Sequence, residues 1–598
     1  MGFVETTKTH SDLKVSKKVA KKSVQAAIPR WRYYLVMMVL ASLPILLLVK
    51  IAQLQILPSQ ERGVDFLKHQ GDSRAIRNIP IPAYRGLITD RNGEPLAIST
   101  PVTAIIGNPQ EIKSGDIKRL SLALKISESQ LQGRLQRYRN KSFMYLVQQL
   151  PNDQAEEILQ LNIPGVSGQQ RYKRFYPAGE VTAQLVGFTN YLDIGQEGME
   201  LAYDDWLTGE PGKKKVVLDK NRRVINDISL VQAARSGEDL RLSIDLRVQY
   251  VAYRALKKAV KKHNAKSGSV VVLDVNSGEV LAMVNQPSFN PNDRLELRQS
   301  SVRNRAITDL MEPGSTVKPF TVLAAMESGQ FSAQSRIDTN PGYLKVDYKT
   351  FVDPSNYGEL NLAEVLTKSS QVGTTKVALA LDPEFTRDLF QRVGFGEVVG
   401  TGFPGETVGS LPAYRKWHPV TQATFAFGYG LSVSSLQLAR AYAVLANDGL
   451  RKEISMVALD SEPDALRVIN AETAKEVRYM LRAASSNKGT GRRAMIDGYS
   501  VGGKTGTLHK VKVDGGYDDN RYMSAFAGVS PISSPRLVTV VVIDEPRQGD
   551  YFGGLVAAPV FAEVTGNALR LMQVTPDETD QNSSLVRLDK SVVKGEES

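Results

Sequence analysis

The chain contains no cysteine. Disulfides, thiolate-bound zinc, iron–sulfur clusters and a cysteine nucleophile are therefore excluded. Histidine is scarce: His10, His69, His263, His418 and His509 are the whole set. No two of them lie within a helical turn, which excludes an H-E-x-x-H metal helix and leaves few partners for a Ser–His pair. Nor is there an excess of Gly (47) or Pro (28) in 598 residues, so low-complexity organisation does not apply. Long apolar runs are missing from all but the first tenth of the chain, and everything beyond it is expected to be water-soluble. That length predicts several domains, at roughly 150 residues each.

The exception is Tyr33–Val49, YYLVMMVLASLPILLLV, which holds 17 residues without a charge. At ~1.5 Å per residue it covers about 26 Å, close to the ~30 Å hydrocarbon core. Residues 33–53 are therefore expected to form a transmembrane helix. No small-x-small cleavage site follows, so the segment reads as an uncleaved anchor. Residues 1–32 carry eight Lys/Arg against Glu5 and Asp12, half of the chain's net charge of +12. Beside an apolar span, such an arm orients the helix with its N-terminus in the cytoplasm, and no nucleic-acid role is needed for it. The rest is placed outside.

Residues 54–235 are expected to form a first outer domain. Residues 58–78 are polar and read as a stalk. RGLITDRNGEPLA (85–97) is a strand–turn–strand around Asn92-Gly93. Residues 110–165 read as helix-rich, including the run YLVQQL, and a loop-rich stretch follows them. A second domain is expected over 236–572. Asp245–Lys262 has helical amphipathicity, and GSVVVLDVNSGEVLAMVN (268–285) is a hairpin turning at Asn276-Ser277-Gly278. Helices fill 303–450, then come strands at 500–507, 522–528 and 537–544 and a closing helix over 559–572. Strands at both ends with helices between them predict an α+β fold, with one central antiparallel sheet and helices packed on it. Residues 573–598 read as a disordered tail.

The chemistry centres on Ser315-Thr316-Val317-Lys318. Ser315 and Lys318 are one turn apart, and Pro319 pins them to a helix start, where N–H groups are free. A hydroxyl beside a desolvated amine is an activated nucleophile. The S-x-x-K pattern alone decides nothing, because it also occurs at Ser11–Lys14, Ser485–Lys488 and Ser591–Lys594; only Ser315 opens an apolar helix. A plain N-cap serine is the bland alternative. Lys504-Thr505-Gly506-Thr507 is the one K-T-G in the chain and ends a Gly-rich strand, where close backbone approach is permitted. Between the two lies Lys368-Ser369-Ser370-Gln371. S-x-x-K, S-D-N and K-T-G together are the active-site set of serine β-lactamases and penicillin-binding proteins. Gln371 stands where Asn is usual, and its extra methylene displaces the amide.

With these boxes the chain resembles the class B penicillin-binding proteins of the FtsI type, the division-specific septal peptidoglycan D,D-transpeptidases. RFYPAGEVTAQLVGFTN (174–190), GMELAYDDWLTG (198–209), GTGRRA (489–494) and DYFGGLVAAPVF (550–561) fit as well. The resemblance implies a membrane-anchored pedestal, or dimerisation-type, domain followed by a transpeptidase domain. It implies that Ser315 attacks the carbonyl of a D-Ala-D-Ala stem peptide, that Lys318 is its general base, and that Ser369 relays the proton. Gln371 would contact the substrate amide, and Lys504, Thr505, Gly506 and Thr507 would hold the terminal carboxylate and help form the oxyanion hole. Tyr551 and Phe552 would form an aromatic wall. β-Lactams would acylate the same serine. The implied partners are peptidoglycan, the membrane, the septal glycan polymerase and other division proteins; no cofactor or metal is implied. An elongation-specific relative and a catalytically weak division scaffold are the alternatives. Lysine as a base needs a pKa near 7, which costs about 4.6 kcal/mol at ~1.36 per unit.

Overall fold

The computed structural model describes residues 29–55, 66, 75–218, 224–293, 297–413, 417–512 and 514–578. The basic arm up to residue 28, most of the expected stalk and residues 579–598 of the expected tail lie outside the described residues. The chain divides into two compact units, one of residues 1–78 and 215–229, the other of 79–214 and 230–598.

In the first unit, Arg30–Gln55 is a 26-residue helix, about 39 Å long at 1.5 Å per residue. It covers the expected 33–53 span. Its apolar side chains stay exposed along its length, from Tyr33 to Ile51, which suits a single-pass membrane anchor far better than a packed core helix.

The second unit opens with the pedestal sheet. Pro95–Gly107 is its long central strand, pairing with Met144–Leu150 and with Val166–Phe175. Both partners depart from the sequence reading. YLVQQL lies in a strand, not a helix, because a short apolar run has no decisive period and the ladder with 103–107 settles it. The stretch read as loop-rich contains a 10-residue strand, VSGQQRYKRF, whose polar composition hides it while its backbone ladder holds it. Helices Ile117–Ala123, Glu128–Arg137 and Asn152–Leu159 bury Leu120, Leu131, Leu135 and Ile158 against Ile105 and Leu146. The three non-catalytic boxes meet at one buried carboxylate. Glu200 accepts from Arg85 Nε at 2.8 Å and from Arg174 Nε at 2.6 Å, all three side chains being buried. Breaking such a triad strands a charge in the interior at about 3–5 kcal/mol.

Asp90 ties the hairpin of residues 85–97 to the start of the second domain. It caps its own turn through Asn92 and Glu94 N–H and also accepts from Leu246 N at 3.0 Å. Residues 240–244 still bond to the hairpin, Leu242 N to Thr89 O and Arg91 N to Ile244 O. The hand-over between domains therefore runs on past residue 235.

The second domain is built on a five-stranded antiparallel sheet. Its spatial order is Val280–Gln286, Ser267–Asp274, Leu537–Asp544, Tyr517–Ser530, Gly502–Val511. The two central Val-rich strands are buried on both faces, as strands sandwiched between helical layers must be. Leu246–Lys262 and Ala558–Leu571 cover one face, through Val248, Leu256, Phe561 and Val564. Lys318–Glu327 and Ser435–Ala446 build the core on the other. The helical region also holds two small hairpin-like pairs, Arg336–Asp338 with Glu359–Asn361 and Tyr343–Val346 with Lys349–Val352. Residues 573–578 are not loose. Asp577 accepts from Ser500 N at 2.7 Å and from Ser533 Oγ at 2.6 Å, and Tyr499 donates to Val574 O at 2.7 Å, so the start of the expected tail clasps the base of the strand 502–511.

Candidate active site

Gly502–Val511 is the edge strand of the sheet, and its open side meets the turn that carries Ser315. The contact is tight. A Cβ on Gly506 would lie 2.9 Å from Thr316 Cγ2, and one on Gly314, where φ is +55°, would lie 2.4 Å from Leu508. Glycine at both positions lets the nucleophile turn sit flat against the strand. Gly314–Val317 is a 3-10 turn, and the α-helix proper begins at Lys318, so Ser315 precedes the regular helix by one tight turn. Tyr442 donates to Thr316 O at 2.7 Å and Thr316 Oγ1 to Pro313 O at 2.7 Å, which fixes that turn from beneath.

Ser315 is half-buried and reachable, whereas Lys318 is wholly buried. The Lys318 amine donates to Ser369 O at 2.6 Å, to Ser369 Oγ at 3.2 Å and to Ser370 O at 3.2 Å. Ser369 Oγ donates in turn to Ser315 Oγ at 3.4 Å. Ser369 sits at the C-cap of Leu362–Lys368 in the left-handed region, φ +56°. That conformation is unfavourable for a residue with a Cβ and recurs at functional sites. It turns the Ser369 carbonyl toward Lys318.

Burial drives the Lys318 amine well below its ordinary value, and the neighbouring Lys504 pushes it further; Asp353 opposes both. Lys504 is also wholly buried, and burial lowers it to about 7. Both shifts follow from removing an ammonium from water, and both make the neutral amine easier to reach.

The remaining expected residues lie on or beside the strand Gly502–Val511, except Gln371, which follows Ser370. Lys504 donates to Thr505 O at 3.2 Å and to Thr505 Oγ1 at 3.4 Å. Thr505 Oγ1 shares a 2.8 Å hydrogen bond with Thr490 Oγ1. Thr507 Oγ1 accepts from Gly553 N at 3.0 Å, which brings Tyr551 and Phe552 beside the strand. Tyr551 stacks on Tyr522 at 4.1 Å and lies 4.5 Å from Phe552, which is half exposed. Gln371 is the first residue of the helix Gln371–Ala380, and its side chain is exposed.

Three contributors carried no sequence signal. Asp353, in FVDPSNYG, is buried and accepts from Ser370 Oγ at 2.5 Å, Gln371 N at 2.6 Å and Val372 N at 3.2 Å. It satisfies the free N–H groups of that helix and so holds the Ser369–Gln371 segment in place. Thr490 lies inside a quoted box, but nothing marked out its hydroxyl. Tyr522 extends the aromatic ladder from a neighbouring strand, which only sheet register reveals. Among the described residues no cluster of side chains has the makeup of a metal site.

The arrangement is a reachable hydroxyl, a buried amine coupled to it through a second hydroxyl, and a cationic, hydroxyl-lined strand edge for a carboxylate. It is equipped for acyl transfer. Known proteins agree. The family described as Penicillin binding protein transpeptidase domain matches residues 268–566, and the Penicillin-binding Protein dimerisation domain matches residues 80–242. The chain is 42% identical over 523 residues to a probable peptidoglycan D,D-transpeptidase PbpC of Pseudomonas aeruginosa, covering 87% of this chain and 92% of that protein. It is 40% identical to the peptidoglycan D,D-transpeptidase FtsI of Escherichia coli, covering 94% of this chain and 95% of that protein. A solved Penicillin binding protein 3 of Mycobacterium tuberculosis, complexed with aztreonam, superposes with a TM-score of 0.66 at 26% identity over 84% of this chain and 98% of that one. With both domains matched in order and relatives spanning nearly the whole length, the chain belongs to the penicillin-binding protein transpeptidases.

Proposed function

We propose that this protein is the peptidoglycan D,D-transpeptidase that crosslinks stem peptides of the septal wall through an acyl-enzyme on Ser315, and that β-lactams acylate the same residue. The observation that carries this reading is the buried Lys318 amine within 3.2 Å of Ser369 Oγ, which reaches Ser315. In the neutral form Lys318 accepts the Ser315 proton through Ser369 as the Ser315 oxygen bonds to the penultimate D-alanine carbonyl. The C–N bond to the terminal D-alanine then breaks, and the relayed proton leaves on its amine. An amine from a neighbouring stem attacks the ester, forms the crosslink and restores the Ser315 hydroxyl. Lys504, Thr505 and Thr507 bind the terminal carboxylate, Gly506 gives the strand its close approach, and Tyr551 and Phe552 wall the cleft.

The helix Arg30–Gln55 crosses the inner membrane once. The basic arm lies in the cytoplasm, and the catalytic domain works in the periplasm beside the septal glycan polymerase and other division proteins. Intact-mass measurement after penicillin treatment tests the chemistry: one adduct per chain is expected, absent in Ser315→Ala. An adduct on a peptide containing Ser369 in place of Ser315 overturns the assignment. Protease added outside spheroplasts should digest everything beyond the anchor; full protection contradicts the topology.

A further inference from the structure

The pedestal carries a basic, aromatic concavity that the transpeptidase chemistry does not use. Residues 129–152 contain Arg134, Arg137, Arg139 and Lys141 and no Asp or Glu. Arg134 and Arg137 end the helix Glu128–Arg137, and the following loop leads through Lys141 into the strand Met144–Leu150. Two adjoining cavities share Arg134 and Arg137, one of about 860 Å³ and one of about 490 Å³. The larger is lined as well by Tyr138, Lys141, Phe143 and Tyr145.

The cations here are held by aromatics and backbone rather than by acids. Arg134 Nη2 donates to Tyr145 O at 2.7 Å. Arg171 lies 4.9 Å over the Tyr145 ring and donates to its hydroxyl. Phe143 packs edge-on to Tyr145 at 5.0 Å yet remains 45% exposed. Arg137, Arg139 and Lys141 are exposed, and none pairs with a carboxylate among the described residues. Cations without counter-charges around a concave wall sum their fields, which a scattered solvated face does not do. Exposed rings between them offer flat apolar platforms.

We propose that this concavity is a second, non-catalytic site for carboxylate-bearing glycan, namely peptidoglycan strands with their stem peptides. The choice of glycan rests on the transpeptidase reading. Stem carboxylates repeat along such a strand and match Arg137 and Lys141, while sugar rings lie on Phe143 and Tyr138. Guanidinium groups bind carboxylates in paired geometry. A second contact on the polymer that Ser315 acts on raises the local concentration of stem peptides without new chemistry.

The test uses the full-length protein in detergent, carrying Ser315→Ala so that nothing turns over. Fluorescently labelled, muramidase-released glycan–peptide oligomers are titrated and followed by anisotropy. The double variant Arg137→Glu, Lys141→Glu should bind them at least about tenfold more weakly. Amidating the oligomers' carboxyl groups should erase that difference, and added salt should weaken the parent more than the variant. In a Ser315 background the double variant should keep its melting temperature and its penicillin labelling, which shows that the fold and the catalytic site are intact. Equal oligomer binding by parent and variant, or no binding by either, overturns the proposal. So does a preference for poly-glutamate that the variant loses while oligomer binding persists, since that identifies an acidic protein segment as the occupant. Absence of a penicillin adduct on the protein that keeps Ser315 would instead refute the transpeptidase reading, and the site proposal would then stand or fall on the oligomer titration alone.

Discussion

The amine of Lys318 reaches Ser315 through Ser369: it donates at 3.2 Å to the Ser369 hydroxyl, which donates onward at 3.4 Å. Ser369 thus stands between the amine and Ser315, as the proposed relay requires, and its backbone carbonyl accepts from the amine at 2.6 Å. Ser369→Ala removes the relay but keeps the anchoring carbonyl. The second-order acylation constant for penicillin should fall by roughly 100-fold or more, the usual range for loss of a proton-transfer group. The pre-equilibrium affinity should stay within about threefold. Acylation within threefold of wild type would mean that Lys318 acts on Ser315 without Ser369.

In the proposed mechanism the two buried lysines need opposite protonation states. Lys318 acts as a base only when neutral, so its active fraction rises with pH through a value that burial and Lys504 have lowered. Lys504 holds a carboxylate only when charged, so its active fraction falls as pH rises through about 7. Acylation should therefore be bell-shaped in pH, and its apparent limbs belong to the coupled pair. Lys504→Arg keeps a charge at every usable pH and should flatten the alkaline limb; an unchanged alkaline fall assigns that limb elsewhere. Lys318→Arg should lose nearly all acylation, since a guanidinium does not deprotonate.

Much of this site is local in sequence, and that is why it was legible. Ser315 and Lys318 share one turn, Lys504 to Thr507 are consecutive in one strand that runs on to Val511 and does not end at Thr507 as expected, and the N-terminal helix is one uninterrupted apolar run. What stayed hidden is what depends on tertiary pairing. Asp353 lies 16 residues before Ser369 in a loop whose composition suggests only a turn. The strand Val166–Phe175 has no apolar alternation because its stability comes from its ladder with residues 98–107. The meeting of Arg85, Arg174 and Glu200 needs three segments folded together. The basic side chains of 134–141 carried no signal in the sequence, because the cavity beside them exists only once helix and strand pack.

Gln371 stands where the related enzymes are expected to carry Asn, and its side chain lies exposed at the first position of its helix. Exposure leaves the carboxamide free to fold toward a bound substrate, at about 0.5–1 kcal/mol of side-chain entropy. Gln371→Asn should leave acylation equal or modestly faster. Gln371→Ala should slow it by roughly 5- to 100-fold, since a substrate amide loses a partner at ~1–3 kcal/mol. If the alanine variant matches wild type, the amide takes no part.

Asp353 offers the sharpest separation of positioning from bulk stability. Its carboxylate takes two N–H groups from the start of the helix Gln371–Ala380 and the Ser370 hydroxyl. Its charge also raises the Lys318 amine against the two lowering influences. Asp353→Asn keeps an oxygen for both N–H groups, and Ser370 Oγ, which already accepts from Gly373 N at 2.8 Å, can rotate to accept from the new amide. The stability cost should be about 1–2 kcal/mol, the difference between charged and neutral hydrogen bonds, measurable by denaturant titration. Removing the charge leaves Lys318 with less to stabilise its ammonium, so the acid limb of the acylation profile should move to lower pH. A residue that merely braces the helix would lower the plateau without moving that limb. Asp353→Ala should lose both the brace and the charge: the acid limb shifts in the same direction, and the plateau falls further because the helix start is left with unpaired N–H groups near Ser369. An acid limb fixed in both variants, with only the plateau reduced, would confine Asp353 to holding the Ser369–Gln371 segment and remove it from the electrostatics of the base.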